Sequence, residues 1–525
     1  MYALHISVPL EWAPGATLLK EFKSPSIDDR VSLDKEEMVI MLMENLHKFS
    51  FQVEEVSFIW PFMTIQLLGF IAASHALIYK RDSRSSTIWV GLIILSPILG
   101  PALYWLFGIN RIRRKAIKVF KDKELEMAQV NRGELSLDKW PSSMIKLSHL
   151  TQKVSGHPLT LQNEIQILQN GEEFYPAIMA SIHKAKKYIY LCSYIFENDI
   201  IGKKIADALK KAGERGIIVR VLVDDIGSKY SFPTIFSKLA GRNIRTAKFQ
   251  KTFWPWTFHY AQLRNHRKIL IVDGNLAYIG GMNLRDQHLI SSTPLDDGIT
   301  DIHFKVTGEM IGPLECFFIS DWNFSSSEFL NLSELRPLTN PSMNIPMRAL
   351  SSGPDEEVNR LKIVFLGAIT SAEKSIYIVT PYFIPDLTII SALGVASAKG
   401  VDIKIILPER NNYRLIQWAT SAILWQILEA GCEVYYSSLP FDHAKLFVVD
   451  EIWVCVGSAN WDARSLRLNF ELNIECYDAN FARQLLEIIQ RKIEKARKIE
   501  ADEVNRRSYG IKLRDGMARL LNPFL

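Results

Sequence analysis

The pattern His-x-Lys-x4-Asp occurs twice in this 525-residue chain, and both copies carry the same sequel. NHRKILIVDG supplies His266, Lys268 and Asp273, and YIGGMN follows with Gly280, Gly281 and Asn283. FDHAKLFVVDE supplies His443, Lys445 and Asp450, and CVGSAN follows with Gly457, Ser458 and Asn460, each 177 residues after its counterpart. If Lys and Asp each fill roughly one position in twenty, the 11 histidines give one such match by chance only a few times in about a hundred chains. Two copies with the same spacing and the same sequel are no coincidence. The duplication predicts two copies of one folding unit.

The surroundings repeat in the same order. AIMASIHKAKKYIYLCSYIF (177 to 196) reads as a helix followed by a β-rich strand, and GIIVRVLVDD (216 to 225) as a second buried strand, with the helical IIGKKIADALKKAGERG between them. FLGAITSAEKSIYIVTPYFI (365 to 384), TIISALGVASAKG and GVDIKIILPE (400 to 409) answer in the second half. The predicted fold class is therefore α/β, with two similar lobes of β-sheet flanked by helices and related by a pseudo-twofold. They are expected at 151–335 and 345–525, joined by a linker near 330 to 350 where Pro337, Pro341 and Pro346 cluster.

Ahead of the lobes the chain changes character. Residues 56 to 79 contain no Asp, Glu, Lys or Arg, and that length crosses a hydrocarbon core of about 30 Å as a helix. A second uncharged run spans Ser85 to Asn110, and its Pro97, Gly100 and Pro101 are tolerated where neighbouring helices re-satisfy the backbone. The expectation is a two-helix transmembrane hairpin over 56–110, with spans at about 56–79 and 86–109, after an N-terminal extension, 1–55. A hairpin buried in a soluble domain is the alternative. Lys80, Arg81 and Arg84 in the loop are outnumbered by Lys35, Lys48 and the basic run from Arg111 to Lys123, which places both termini and the lobes inside. That run opens a basic juxtamembrane linker, 111–150, which suits anionic headgroups or serves only to set topology. The N-terminus lacks the basic start, apolar core and cleavage site of a signal peptide and is expected to be retained.

A balanced composition, 48% hydrophobic and 23% charged, excludes extended disorder, and a net charge of +5 does not nominate nucleic acid. Cys192, Cys316, Cys432, Cys455 and Cys476 stand singly, without metal-ligand spacing, and read as free buried thiols. FWPWTF (253 to 258) forms either an aromatic lip at the bilayer interface or ordinary core packing. RKIEKARKIEADEVNRR alternates charge and reads as a solvated helix face.

The motif also predicts chemistry. Side chains two apart share one face of a strand, so His266 points with Lys268, and His443 with Lys445. Facing lobes then bring two imidazoles and two ammonium groups to one cleft suited to a phosphodiester. One neutral imidazole attacks phosphorus, and the other protonates the leaving oxygen and later deprotonates the incoming alcohol. Lys268, Lys445, Asn283 and Asn460 are the candidate phosphate-binding groups, taking over the role of a metal, so no cofactor and no metal are expected. The motifs nominate His266, Lys268, Asp273, His443, Lys445 and Asp450 as the catalytic set. Asp273 and Asp450, an odd number of residues from their histidines, face away and are expected to support the lobe interface.

These motifs and their flanks resemble the phospholipase D superfamily and, within it, the bacterial cardiolipin synthases. The likeness rests on RNHRKILIVDG, YIGGMNLRD, WDARSLRLNFELN, the closing LRDGMARLLNPFL and the N-terminal hairpin, and it covers nearly everything after about residue 55. It implies transfer of a phosphatidyl group between two phosphatidylglycerol molecules, giving cardiolipin and glycerol through a phosphohistidine. It also implies residence in the bacterial inner (cytoplasmic) membrane as a multi-pass protein, a phospholipid substrate and no obligate protein partner. His266 is the nucleophile and His443 the acid/base by family habit. Asp301 in TDIHF and Glu471 in NFELN match the carboxylates that orient the histidine of the other half. Ile299 and Thr300 depart from the aromatic and arginine that the family tends to place before that aspartate. A hydrolytic phospholipase D, a synthase using phosphatidylethanolamine as donor, a nuclease and a silent membrane scaffold are the competing functions.

Overall fold

The computed structural model describes residues 35–80, 83–108, 140–250, 263–331, 344–353 and 359–521. FWPWTF, the basic run from Arg111 to Lys123, Pro337 and Pro341 of the interlobe linker and the first 34 residues lie outside the described residues. The chain divides between residues 109 and 110 into two units.

In the first unit, helix α1 runs Lys35–Tyr79, α2 Ser83–Leu95 and α3 Leu99–Leu103, and a π-turn follows at Tyr104–Gly108. Among the described residues one helix is long and apolar enough to cross a membrane, Trp60–Tyr79, with mean hydropathy 1.5. Its Trp60, Phe62, Leu67, Phe70, Leu77 and Ile78 are exposed, which in water would leave a large apolar surface unburied. The expected second span, 86–109, is not one continuous helix. Pro97 cannot donate a helical hydrogen bond, and α2 stops two residues earlier. The backbone turns at Pro97 and Ile98, and Gly100 at the start of α3 then packs so close to α2 that a Cβ would lie 2.6 Å from the Ile93 Cα. Ala76 of α1, Ile93 of α2 and Tyr104 pack together, and the Tyr104 hydroxyl lies 2.7 Å from His75 Nδ1. The first helix also begins at Lys35, well ahead of the expected span.

The second unit contains the two lobes. After α4 (Ser142–Ser155), the first lobe comprises β1 (Asn163–Gln169), α5 (Asn170–Lys184), β2 (Tyr188–Ser193), α6 (Ile200–Glu214), β3 (Ile218–Asp224), β4 (Ile244–Phe249), β5 (Ile269–Val272), β6 (Leu276–Gly280), β7 (Ile299–Thr300), β8 (Ile302–Gly308) and α7 (Ile311–Ser325). The second comprises β9 (Met347–Ser352), α8 (Arg360–Ser371), β10 (Ser375–Val379), α9 (Leu387–Ala398), β11 (Asp402–Pro408), α10 (Arg414–Ser421), α11 (Leu424–Glu429), β12 (Glu433–Ser437), β13 (Phe441–Asp442), β14 (Leu446–Val449), β15 (Trp453–Gly457), α12 (Ala463–Arg467), β16 (Glu471–Tyr477), α13 (Ala479–Glu494), β17 (Arg497–Lys498), α14 (Ala501–Asn505) and α15 (Tyr509–Leu520).

Strand order is the same in both sheets. The first runs β1-β8-β6-β5-β2-β3-β4 and the second β9-β16-β15-β14-β10-β11-β12, with β17 added at its edge. Period-two alternation decides which side chains meet. Ile269 and Ile271 of β5, with Leu446 and Val448 of β14, enter one core shared by both sheets. Leu270 and Val272 turn instead to a cluster beneath α5 and α6, and Phe447 and Val449 to its counterpart beneath α8 and α9. The lobes are thus fused through apolar sheet faces, and the motifs lie at the ends of strands in that shared core.

One expectation about the C-terminal region is corrected. The stretch from Arg491 to Arg507 is not a single solvated helix, because Arg497 and Lys498 pair with Tyr436 and Tyr435 at the sheet edge. Ile499 and Val504 are buried, which anchors the segment. The cysteines are free thiols, four of them buried and Cys316 partly so.

Candidate active site

Each lobe contributes to the other's motif through a short backbone exchange. His266 N donates to Phe470 O (2.9 Å) and Phe470 N to Arg264 O (2.8 Å), so the segment before Glu471 runs beside the first motif. In the reciprocal place β7 pairs in parallel with β13, and His443 N donates to Thr300 O (2.8 Å). Glu471 is thereby delivered to His266, and Asp301 to His443.

The side chains complete these pairs. His266 Nδ1 lies 2.9 Å from Glu471 Oε2 and 3.0 Å from Oε1. His443 Nδ1 lies 2.7 Å from Asp301 Oδ2. A carboxylate accepting the Nδ1 proton fixes the tautomer and leaves Nε2 with its lone pair for substrate. Glu471 also accepts from Ser458 Oγ (2.6 Å) and Asn469 Nδ2 (3.2 Å). The equivalent position in the first lobe is Gly281, where a Cβ would fall 2.5 Å from the Asp301 oxygens. Glycine there admits the shorter carboxylate directly, whereas serine bonds the longer one.

Both histidines line a cavity of about 620 Å³ between the lobes, together with Tyr194, Asn283, Arg285, Tyr382, Asn460 and Arg464. Tyr194 meets the His266 ring edge-on at 5.1 Å and Tyr382 meets His443 at 6.2 Å. Asn283 Oδ1 accepts from Ile195 N (3.2 Å), and Asn460 Nδ2 donates to Ser465 Oγ (3.3 Å) while its Oδ1 is buried without a partner.

The lysines lie elsewhere than expected. Neither lines the cavity. Lys268 Nζ folds back to donate to the His266 carbonyl at 2.7 Å. Lys445 Nζ donates to the His443 carbonyl, 2.9 Å from His443 Nδ1 and 4.0 Å from Asp301 Oδ2. The ammonium groups sit behind the cavity lining, each on its own motif histidine's carbonyl, because His266 to Lys268 and His443 to Lys445 precede β5 and β14.

Asp273 and Asp450 are corrected on both counts: they stand neither in the cleft nor at the lobe interface. Each lies beyond the far end of the motif strand, in left-handed backbone (φ 54° and 52°). The Asp273 carboxylate accepts from the backbone N–H of Lys186, Lys187 and Tyr188 at 2.7 to 3.0 Å, tying the α5–β2 turn to its own lobe. Asp450 does the same for Glu373, Lys374 and Ser375 in the turn from α8 to β10. An N–H triplet with no internal partner is what a short carboxylate satisfies.

Burial controls protonation in the cleft. It pulls the His266 imidazole down to about 4, against the opposing pull of Glu471, and it holds His443 well below its ordinary value, helped by Lys445 and Lys268. It also lowers Lys268 to about 7 and Lys445 to about 8. Burial would raise Glu471, but His266, Lys268 and Ser458 together hold it below the usual carboxylate range. The free cleft therefore presents two neutral imidazoles, one of them backed by an ionised glutamate.

Several cleft residues were missed in the sequence. Tyr194 and Tyr382 stand at equivalent places in the repeated SYIF and PYFI, so the repeat itself was their signal. Arg264 is held by buried Asp224 at 3.2 Å. His288 Nε2 accepts from Asn283 N (3.3 Å), and its Nδ1 donates to Ile299 O (3.1 Å). Asp462, raised to about 7 by burial, caps α12 at the cleft wall through Ser465 N (2.7 Å). No spacing rule pointed to these last three.

Comparison with known proteins agrees with this arrangement. The family described as "Cardiolipin synthase, PLD-like domain" matches residues 178–299 and 365–493, one stretch in each lobe, and "Phospholipase_D-nuclease N-terminal" matches 67–108. The chain is similar to the major cardiolipin synthase ClsA of Bacillus subtilis, 32% identical over 471 residues that cover 85% of this chain and 95% of that one. It is likewise similar to a cardiolipin synthase of Oceanobacillus iheyensis, 32% identical over 87% and 96% of the two chains. Among solved structures, a phosphatidylserine synthase of Haemophilus influenzae superposes with a TM-score of 0.55 at 16% identity, over 72% of this chain and all of the other, and shares the fold. With the family's domain matched in both lobes and such relatives aligned over nearly their whole length, the chain belongs to the cardiolipin synthase family of phospholipase D-type phosphatidyltransferases.

Proposed function

We propose that the chain is a cardiolipin synthase, joining two phosphatidylglycerol molecules into cardiolipin and glycerol. The observation that carries this reading is a pair of imidazoles in one cleft, each held at Nδ1 by a carboxylate from the opposite lobe. His266 Nε2 attacks the phosphorus of the first lipid, and the phosphorus–oxygen bond to the glycerol headgroup breaks. His443 Nε2 gives its proton to the leaving glycerol oxygen. The phosphodiester anion supplies the counter-charge that makes a protonated His443 tolerable in so buried a place. In the second half His443, now neutral, takes the proton from a hydroxyl of the second lipid's headgroup. That oxygen attacks the phosphohistidine and restores His266, with no water consumed. Lys268 and Lys445 offset the phosphoryl charge from behind the cavity lining, while Asn283 and Asn460 offer amide groups at its wall.

The same reading makes the lobes a pseudo-twofold pair, supported by their shared strand order and reciprocal exchange. It also makes 56–110 a bilayer hairpin of the inner (cytoplasmic) membrane, in which Trp60–Tyr79 crosses and the interrupted segment after Ser83 returns, with the lobes on the cytoplasmic side. Membranes carrying the protein and headgroup-labelled phosphatidylglycerol are expected to yield cardiolipin and free glycerol, and none from His266→Ala. Phosphatidic acid as the main product would identify a hydrolase instead, and cardiolipin only when phosphatidylethanolamine is added would identify the other donor. Mass spectrometry of the trapped phosphohistidine should locate it on His266.

A further inference from the structure

The C-terminal helix α15 carries an apolar stripe that the proposed chemistry does not use. Tyr509, Leu513, Met517 and Leu520 are 81%, 51%, 56% and 76% exposed. At 100° per residue they fall within about 80° of arc. The opposite face is fixed to the lobe. Asp515 is buried on Arg507 at 2.8 Å, Arg507 also donates to Ser421 O at 2.9 Å, and Ala518 packs with Ala419 and Ile423. A helix that hides its polar Asp515 and displays leucine, methionine and tyrosine is inverted relative to an ordinary surface helix.

Charge borders the stripe on both sides. Lys512 and Arg519 line a groove of about 350 Å³ with Trp425 and Arg507 on one side. Arg514 lies on the other, its guanidinium 4.6 Å over the Trp418 ring. Neighbouring α10 links this face to the cleft. Its Ile416 packs against the cluster that holds Ala518 and also lines the cavity, and Leu415, 44% exposed, stands at the cavity wall. Across the mouth, Phe232 is 97% exposed two residues after cavity-lining Tyr230.

We infer that α15 is a bilayer-docking helix: its stripe enters the interface of an anionic membrane and its flanking cations hold the headgroups, setting the cleft mouth at the lipid surface. The charge pattern selects this occupant. An apolar face with cations on both margins complements acyl chains edged by phosphates. The membrane role rests on the lipid chemistry proposed above, but the surface can be tested without turnover.

The full-length protein is reconstituted into phosphatidylglycerol-containing vesicles after Leu513→Cys or Met517→Cys replacement and labelling with an environment-sensitive fluorophore, with the unsubstituted chain as the labelling background. Acyl chains brominated near the headgroup should quench the label, and aqueous iodide should not. Quenching by iodide alone would mean a solvated stripe, and protection from both would mean a protein partner or second copy. Either result overturns the inference. A Leu513→Ser/Met517→Ser variant should lose about tenfold or more of its turnover on vesicles yet keep that on monomeric short-chain phosphatidylglycerol, whereas equal loss on both would overturn the docking role. Lipid quenching without any cardiolipin formation would sink the synthase reading and leave the docking helix standing.

Discussion

His266 and Glu471 illustrate how burial and pairing pull a titration in opposite directions. The carboxylate favours the charged ring, but loss of hydration costs more, and the imidazole stays neutral down to about pH 4. Neutrality is what a nucleophile needs. In the proposed mechanism the lysines need the reverse, since only their protonated form offsets phosphoryl charge, and burial has lowered them to about 7 and 8. The signs combine into a window. On the proposed mechanism activity requires His266 unprotonated, a condition lost below about pH 4, Lys268 and Lys445 protonated, a condition lost as pH rises past about 7 and then 8, and a proton on His443, which burial disfavours in the free cleft and which binding of the phosphodiester must restore. The value of kcat/KM, which reports the free enzyme, should therefore fall as pH rises from 5.5, because His443 must take up a proton, and fall more steeply past about 7 to 8 as the lysines lose theirs, measured as initial cardiolipin formation between pH 5.5 and 9.5. A profile without that steeper fall past pH 7 to 8 would remove the lysines from the mechanism.

At the scale of elements, the motif strand has two ends with separate duties. The histidine end enters the cleft, while the aspartate end holds the preceding helix-to-strand turn by three backbone N–H groups. Alternation along β5 and β14 makes the first separation legible, because residues at odd spacing leave the cleft face. It does not say which partner the aspartate finds there, and that turn was missed. Asp273→Ala leaves three N–H groups without their acceptor and should cost about 1–3 kcal/mol of stability, read as a lower Tm, with activity per folded molecule largely kept. The same holds for Asp450→Ala. A selective loss of turnover at unchanged Tm would return both residues to the catalytic set. The broken second apolar segment teaches a related point. Its lack of charge was legible, but the close return of Gly100 onto Ile93 after the break at Pro97 was not.

For the whole molecule, the exchange of Glu471 and Asp301 between lobes means that neither lobe holds a complete histidine pair. Both pairs lie within one chain. A His266→Ala protein mixed with a His443→Ala protein should thus remain inactive, since every molecule lacks one of its two rings. Recovery of cardiolipin synthesis in the mixture would show that lobes are exchanged between chains. The shared core argues for a closed chain, because separating the sheets would expose Ile269, Ile271, Leu446 and Val448 together.

Local pattern alone determined a good deal of this protein. Period-two runs, the repeated helix and strand order and two identical motifs were enough for the α/β lobes and for one composite phosphodiester site, because backbone geometry and residue spacing are local properties. Family resemblance supplied Asp301 and Glu471 as partners for the histidines. Only the tertiary structure decided that the lysines turn back onto the carbonyls of the motif histidines, that Ser458 serves a glutamate where Gly281 makes room for an aspartate, and that Tyr194, Arg264, His288 and Asp462 join the site. Those outcomes depend on which distant segments pack together and on how much water packing removes, and neither is written in the spacing of residues along a chain.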